Sequence, residues 1–288
     1  MSFSSEIKQE LNKTSNLANK EIVKYELLGY LISGNIDETT KNVIKFSTES
    51  DYNINRFSKL LANLNINHNI EISGKNFVIK LKVKDMEGKI PDKENLNEII
   101  NESKEEYLRA IVRGIFLGSG SINNPENKYH LEIVLNDEIY LEKVAELLKK
   151  LGVNVKKMAT KNKYSVYIKE GEEISKFLAL IGANKAVMNF EDIRIQKEMR
   201  GKVNRLVNCE AANLNKTINA SVEQIAAIRK LQQSGKFNKL DDNLKEIAML
   251  RLENPNMSLV DLGKLLQQPV GKSGVNYRLK KIMEIANG

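Results

Sequence analysis

Two apolar segments that each carry small residues four positions apart constrain the fold of this chain more than any other feature. Gly29 and Ser33 lie in the first segment, and Gly114 and Gly118 lie in the second. Residues i and i+4 share one face of a helix, and a glycine there costs a helix about 1 kcal/mol relative to alanine. That cost is rational where a second helix must approach closely. We predict that both segments are helices that pack on each other; the alternative is two unrelated helices with incidental glycines.

The sequence around each segment repeats one order of secondary structure: a helix, a strand, a helix and two strands. Apolar periodicity places these elements at 20–33, 43–48, 51–64, 66–72 and 77–83, and again at 107–118, 130–135, 137–151, 153–158 and 164–168. Gly29 and Gly114 are 85 residues apart, which is the length of a duplicated domain half rather than of a solenoid unit. The pattern predicts an α+β domain over residues 1–195. Its halves, at about 20–90 and 105–190, are expected to be related by a pseudo-two-fold axis.

The strand pattern stops after about residue 190, and residues 196–288 are predicted to form an all-α domain. Its helices are expected at 203–231, 244–253, 258–266 and 273–286. Pro255 ends the second of these helices, and Ser258 and Ser273 are expected to cap the third and the fourth. Short helices in this order are typical of a helix-turn-helix, here at about 258–288. The break at 267–271 is longer than the minimal turn of that motif.

The basic charge of the chain is concentrated in the same C-terminal segment. Residues 200–288 hold fifteen Lys and Arg against eight Asp and Glu, whereas the other 199 residues hold thirty against twenty-nine. An electrostatic footprint confined to one segment favours a polyanionic partner there. The alternative is an ordinary solvated surface.

The last helix carries the first group of candidate DNA-binding residues. Val275, Leu279, Ile282 and Ala286 repeat at helical spacing and are predicted to face the core. The other faces present Lys272, Ser273, Asn276, Tyr277, Arg278, Lys280 and Lys281. The serine, the asparagine and the tyrosine are expected to reach base edges in the major groove, and the basic residues are expected to hold phosphates. A basic bundle at a protein interface is the alternative.

A second group of candidates lies on the helix that begins near residue 203. Asn204, Asn208, Asn215 and Asn219 have offsets of 0, 4, 11 and 15, which place them within about 60° of one another on a helix. Arg205 and Lys216 flank this row. Because asparagine is a poor helix former, we expect the row and its two basic neighbours to contact DNA. A polar domain interface and a plain solvated face are the alternatives.

The composition predicts an intracellular protein without a metal or another cofactor. Cys209 is the single cysteine, and His68 and His130 are far apart, so neither a disulfide nor a structural zinc site is expected. The N-terminal residues do not form a signal-peptide pattern, and there is no apolar run of membrane-spanning length. We expect a cytoplasmic, nucleoid-associated protein with no membrane partner.

The two apolar segments resemble a known motif. Residues 27–36 (LLGYLISGNI) and 114–122 (GIFLGSGSI) resemble the paired motif helices of LAGLIDADG homing endonucleases. In that family the last acidic residue of each motif binds the divalent metal used for cleavage. Gly34 and Ser119 stand at those places in this chain, and neither binds Mg²⁺ as a carboxylate does. The resemblance implies a degenerate monomeric LAGLIDADG-like domain without catalytic residues, against the rival of an active nuclease.

Four further segments resemble the bacterial WhiA proteins over essentially the whole chain. They are residues 2–8, 107–122, 204–213 (NRLVNCEAAN) and 272–279 (KSGVNYRL). This resemblance implies a LAGLIDADG-like domain joined to a helix-turn-helix that binds double-stranded DNA. It also implies a non-catalytic regulator linked to cell division and chromosome segregation, and to sporulation in some relatives. The alternative is a scaffold of the division machinery, whose N-terminal domain binds another protein.

Overall fold

The computed structural model describes residues 2–13, 17–39, 42–161 and 163–288. The chain divides into two compact units, Met1–Glu198 and Met199–Gly288. Over those described ranges, no helix has both the length and the apolar character needed to cross a membrane.

The first unit is an α+β structure built from two antiparallel four-stranded sheets and the helices that cover them. Its helices are α1 (Phe3–Lys13), α2 (Lys20–Leu31), α3 (Asp51–Asn63), α4 (Leu96–Glu102), α5 (Glu105–Ser119), α6 (Glu138–Lys150) and α7 (Gly171–Ile181). Its strands are β1 (Ile36–Thr39), β2 (Val43–Thr48), β3 (Ile70–Ser73), β4 (Asn76–Lys82), β5 (Gly120–Ile122), β6 (Leu131–Leu135), β7 (Lys156–Thr160) and β8 (Lys163–Ile168).

The two sheets have the same topology, which confirms the predicted duplication. The strand orders are β1-β2-β4-β3 and β5-β6-β8-β7. Each half is therefore helix, strand, strand, helix, strand, strand, so the predicted pattern missed one strand per half. The missed strands, β1 and β5, follow the leading helices directly and are only four and three residues long. A strand this short is too brief to show an alternating pattern.

The second predicted strand of each half was placed several residues too early, and for the same reason both times. Ile66 and Val153 are buried, but each belongs to the end of the preceding helix. The Ile66 amide donates to the Leu61 carbonyl, and the Val153 amide donates to the Leu148 carbonyl, five residues back. This is the backbone pattern of a Schellman motif. The strands consequently begin at Ile70 and Lys156.

Helices α2 and α5 pack on each other through their small residues, as predicted. A Cβ atom on Gly29 would lie 2.1 Å from the carbonyl oxygen of Ile111, and one on Gly114 would lie 2.0 Å from that of Glu26. A Cβ on Gly118 would lie 2.2 Å from Ser33 Oγ. The two halves meet so closely that a side chain at these places would collide with the backbone or hydroxyl of the other helix.

A buried polar network fixes this helix pair against α3. Glu26, which is fully buried, accepts from Arg56 Nε at 2.7 Å and Nη2 at 2.9 Å, and from Arg113 Nε at 2.8 Å. Burial opposes the charged form of Glu26, but the hydrogen bonds and charges of the two arginines outweigh it and hold its pKa below the ordinary value. The network is well satisfied, which is the condition under which buried charges are tolerated.

The second unit is entirely helical, as predicted. It contains the C-terminal part of α8 (Asn184–Gln233), followed by α9 (Asp242–Glu253), α10 (Leu259–Leu265) and α11 (Lys272–Asn287). Its core includes Ile228, Ile247, Leu262, Leu279 and Ile282, all fully buried or nearly so.

The starts of two of these helices differ from the prediction. Helix α8 begins at Asn184 rather than near 203, and its first-turn amides of Lys185 and Ala186 donate to the Glu10 carboxylate. Helix α11 begins at Lys272 with Gly271 as its N-cap, so Ser273 lies inside the first turn instead of capping it. The predicted cap of α10 is confirmed, because Ser258 Oγ accepts from the Asp261 amide at 3.2 Å.

Candidate nucleic-acid interface

Gly263 allows the turn that joins α10 to α11 to pass very close to α10. A Cβ atom on Gly263 would lie 2.2 Å from the Val270 carbonyl oxygen, so the turn could not approach any other residue this closely. The Val270 amide donates to the Gly263 carbonyl at 3.2 Å. From the other side, Glu246 on α9 accepts from the Gln267 amide at 2.6 Å. The six-residue turn is therefore held at both ends, and it fixes where α11 begins.

A buried arginine shapes the loop between α9 and α10. Arg251 is 1% exposed, and its Nη1 atom donates to the carbonyls of Asn254, Pro255 and Met257 at 3.3, 3.3 and 2.8 Å. Burial lowers the pKa of its guanidinium. Ser221 Oγ on α8 also donates to the Pro255 carbonyl at 2.5 Å. These bonds satisfy the loop carbonyls and connect the two helices to α8.

Helix α11 presents its predicted inward and outward faces. The four predicted core residues, Val275, Leu279, Ile282 and Ala286, are buried. The side chains on the other faces are exposed at Lys272, Ser273, Asn276, Tyr277, Lys280 and Lys281. Tyr277 is 67% exposed although its ring is largely apolar. An exposed helix face with an amide, an aromatic ring and lysines is chemically suited to a major groove.

Arg278 differs from its neighbours on α11 because it is only half-exposed. Its Nη1 nitrogen is buried and makes no hydrogen bond with the residues that the structure describes. An unpaired buried donor is costly, so a hydrogen-bond acceptor at this nitrogen would be stabilising.

The asparagine row on α8 is exposed. Asn204, Asn208, Asn215 and Asn219 all face solvent, and so do Arg205 and Lys216. Amide side chains carry both donors and acceptors. We call this row the amide stripe. The structure shows that these side chains are exposed and lie on one helix. Their contact with DNA stays a prediction.

The two positions that stand for the metal-binding acids converge on one backbone carbonyl. The Gly34 amide donates to the Val134 carbonyl at 3.0 Å, and Ser119 Oγ donates to the same oxygen at 2.5 Å. A Cβ atom on Gly34 would lie 2.8 Å from that oxygen. The space that a carboxylate would need at position 34 is thus filled by the β6 backbone, and these residues do not fit Mg²⁺ coordination.

The nearest acidic residues do not replace the missing pair. Asp37 and Glu49 line an open polar pocket of about 440 Å³ beside β1 and β2, together with Asn35 and Asn76. All four residues belong to the first half, and the second half contributes no carboxylate to this pocket. Among the described residues, no group of three or more His, Cys, Asp or Glu side chains is arranged to hold a metal ion.

The residues that shape the helix-turn-helix were not found from the sequence. Arg251 follows Leu244, Ile247 and Ala248 at the same helical spacing, so a charged side chain on an apolar face was the available signal. Gly263 is an isolated glycine in a seven-residue helix, which is the signal of a close backbone approach. Glu246 gave no signal, because a glutamate is ordinary on a helix surface.

Comparisons with known proteins agree with both units. The family model described as the WhiA LAGLIDADG-like domain matches residues 108–200, and the model described as the WhiA C-terminal HTH domain matches residues 203–286. "Probable cell division protein WhiA" of Clostridium tetani (strain Massachusetts / E88) is 40% identical over 309 residues, covering 99% of this chain and 97% of that protein. The protein of the same name from Clostridium novyi (strain NT) is 38% identical, covering 99% and 98%.

Two solved structures resemble the chain. The crystal structure of full-length DUF199/WhiA from Thermatoga maritima is 30% identical with a TM-score of 0.64, covering 100% of this chain and 98% of that one. The structure of the N-terminal LAGLIDADG domain of DUF199/WhiA is 27% identical with a TM-score of 0.53, covering 63% and 92%. The predicted fold class, a LAGLIDADG-like α+β domain followed by an all-α helix-turn-helix domain, is confirmed.

Proposed function

Because this chain belongs to the WhiA family, we propose that it is a non-catalytic protein that binds double-stranded DNA and takes part in cell division. The observation that carries the proposal is the exposed polar and basic face of α11 on a helix-turn-helix. The name of its relatives supports the cellular role.

The proposal divides the exposed residues by the part of DNA that they contact. Ser273, Asn276 and Tyr277, near the start of α11, read base edges, and asparagine can pair with adenine through two hydrogen bonds. Lys272, Arg278, Lys280 and Lys281 hold phosphates, which fix the register of the protein on the duplex. The amide stripe, with Arg205 and Lys216, adds contacts along the same DNA.

We extend the proposal to gene regulation in the cytoplasm. A protein of this kind would be associated with the nucleoid, regulate transcription, and act in chromosome segregation as well as division. Helix-turn-helix units that read sequence commonly serve this purpose. Mapping DNA occupancy across the genome with the tagged protein tests this step. Peaks at promoters of division genes support it, and a uniform distribution contradicts it.

We propose that the LAGLIDADG-like unit does not cleave DNA. The support is the filled space at Gly34 and the hydroxyl of Ser119 at the two metal positions. A supercoiled plasmid incubated with the protein and Mg²⁺ is expected to stay intact. Nicking that depends on Mg²⁺ and is removed by chelation would contradict this part of the proposal.

The test of DNA binding is a salt titration of duplex binding by the full chain. Phosphate contacts release counterions, so log K should fall linearly with log salt, with a slope of about −0.9 per contact. One contact from each of the six basic residues named above would give a slope of roughly −5. Undetectable binding at low salt, or binding without a salt slope, would refute the proposal.

A second candidate function concerns the first unit alone. Its charge is nearly balanced, with thirty basic and twenty-nine acidic residues before position 200, which is compatible with a protein partner rather than DNA. In this scheme residues 1–198 form a scaffold for another protein of the division machinery. A fragment of residues 1–198 that binds duplex DNA with a salt slope of its own would exclude this scheme.

A further inference from the structure

Helix α8 carries an apolar row directly beside the amide stripe. Val203, Val207, Leu214 and Ile218 each precede one of the four asparagines, so they share its offsets of 0, 4, 11 and 15. On a helix they lie within about 60° of one another and about 100° from the amide stripe. We call these four residues the apolar stripe.

The apolar stripe is exposed, and so is the helix around it. Its four side chains are 40 to 60% exposed. From residue 202 to residue 216 every side chain of α8 faces solvent. A helix in water normally owes its stability to packing of an apolar face, and a contiguous exposed apolar surface marks an interaction site. The apolar stripe is therefore a candidate binding surface.

The spacing of the stripe matches a second copy of this chain. The intervals between its residues are 4, 7 and 4, which read the same in both directions along the chain. We propose that the stripe pairs with the same stripe of a second copy of this chain, in antiparallel orientation about a two-fold axis. Val203 then lies opposite Ile218 of the second copy, and Val207 lies opposite Leu214. A two-fold interface uses one surface patch twice, so it requires a self-complementary pattern of this kind.

One edge at the centre of the pattern permits close approach. The axis falls between Glu210 and Ala211, which lie on opposite edges of the apolar stripe. The small side chain of Ala211 lets the two helices approach closely along its edge.

The helix dipoles favour the antiparallel over the parallel orientation, because they oppose each other in the antiparallel pair and align in the parallel one.

The area available corresponds to a weak, concentration-dependent dimer. Three further exposed side chains, Met199, Leu206 and Val222, border the stripe and are 60 to 62% exposed. Covering all seven side chains in both copies would bury on the order of 1,000 Å², which is at the lower limit for a specific interface.

Sedimentation of the full chain over two decades of micromolar concentration tests the dimer. The wild type is expected to change from monomer to dimer, and Leu214→Lys is expected to weaken association at least about tenfold, because it places two like charges in the apolar contact. Ala212→Lys adds the same charge to the opposite face and is the matched control. Because both positions are exposed, circular dichroism should show unchanged helix content.

Disulfide trapping tests the orientation. In a Cys209→Ser background, Val203→Cys protein mixed with Ile218→Cys protein is expected to form a crosslink between the two variants under mild oxidation, whereas each variant alone is not. Homodimers of Val203→Cys would show parallel pairing and overturn the proposal. A monomer at every concentration, or equal dimerisation of Leu214→Lys and the wild type, would also overturn it and leave the stripe to a different partner. Duplex affinity, measured separately, reports on the proposed function and not on this pairing.

Discussion

The α2–α5 crossing in the first unit and the exposed segment of α8 in the second unit use unusual helix residues in opposite ways. At the crossing, glycines and charged residues point inward, and every described polar partner of Glu26 is a buried or half-buried arginine. On α8, asparagines and aliphatic side chains point outward. The first arrangement stabilises a fold, and the second leaves surface available for partners. The contrast indicates a structural role for the crossing and supports the binding role that we propose for the second unit.

The largest effect is expected from breaking the buried network. Glu26→Gln removes the buried carboxylate charge that Arg56 and Arg113 share, and we expect it to lower the free energy of unfolding by about 3–5 kcal/mol. Glu105→Gln is the control, because Glu105 pairs with Arg109 on the surface, where an ion pair contributes less than about 1 kcal/mol. Urea unfolding of both variants checks this. Equal losses would show that the network contributes no more than a surface pair.

The same network predicts a pH dependence. The pKa of Glu26 lies below its ordinary value in the folded state, so its contribution is present above the ordinary pKa and is lost as pH falls through the lowered one. Stability of the wild type should therefore fall on acidification, and part of that fall should be absent in Glu26→Gln. Parallel acid unfolding curves for the two proteins would contradict this.

Alanine at two helical glycines should have effects of opposite sign. Gly114→Ala places a Cβ 2.0 Å from the Glu26 carbonyl oxygen, and overpacking of this kind costs about 1–3 kcal/mol or more. Gly201→Ala in α8 meets only the end of the Arg205 side chain at 3.5 Å, so it should stabilise its helix by up to about 1 kcal/mol. Thermal unfolding of both variants measures the difference. Destabilisation by Gly201→Ala would show that the α8 segment is packed more tightly than its exposure indicates.

Asn276→Ala should change which DNA sequences the protein prefers. Loss of a bidentate base contact costs about 1–3 kcal/mol on the preferred site and nothing on others. Competition binding with a randomised duplex library measures the preference before and after substitution. A uniform loss on all duplexes would place Asn276 on the DNA backbone instead.

Lys280→Ala together with Lys281→Ala should weaken binding to all duplexes alike. Removing two phosphate contacts should reduce the salt slope by about 1.8. Lys230→Ala, an exposed lysine near the end of α8, serves as the control for a general loss of charge. A change in sequence preference, or an unchanged slope, would contradict the assigned role of the pair.

The fold was predictable where one residue pattern repeated over a long segment. The glycine pairs gave the α2–α5 crossing, and the apolar spacing of α11 gave its buried face. The short strands β1 and β5 were missed because three or four residues carry no period, and Ile66 and Val153 were taken for strand residues because a helix cap and a strand both bury an apolar side chain. The start of α8 was missed because its early turns are anchored by Glu10, from the distant α1.

The exposed face of α11 that forms the candidate interface was predictable, but the contacts that shape it were not. The sequence indicated which side chains of α11 would be exposed, since exposure follows from helical spacing. It could not indicate that Arg278 would be half-buried or that Arg251 would bind the carbonyls of the loop before α10. Nor could it indicate that the turn before α11 would pass close to Gly263. Each of these depends on a contact between different helices or turns. Helical spacing indicates only which face of a single helix is buried.

The central claim is that the second unit binds DNA by itself. Duplex binding of residues 199–288 and of the full chain, measured over the same range of salt, tests it directly. The predicted result is equal salt slopes and affinities within about threefold. A fragment that does not bind at low salt, while the full chain binds with a steep slope, would contradict the claim and place the DNA contacts on the LAGLIDADG-like unit.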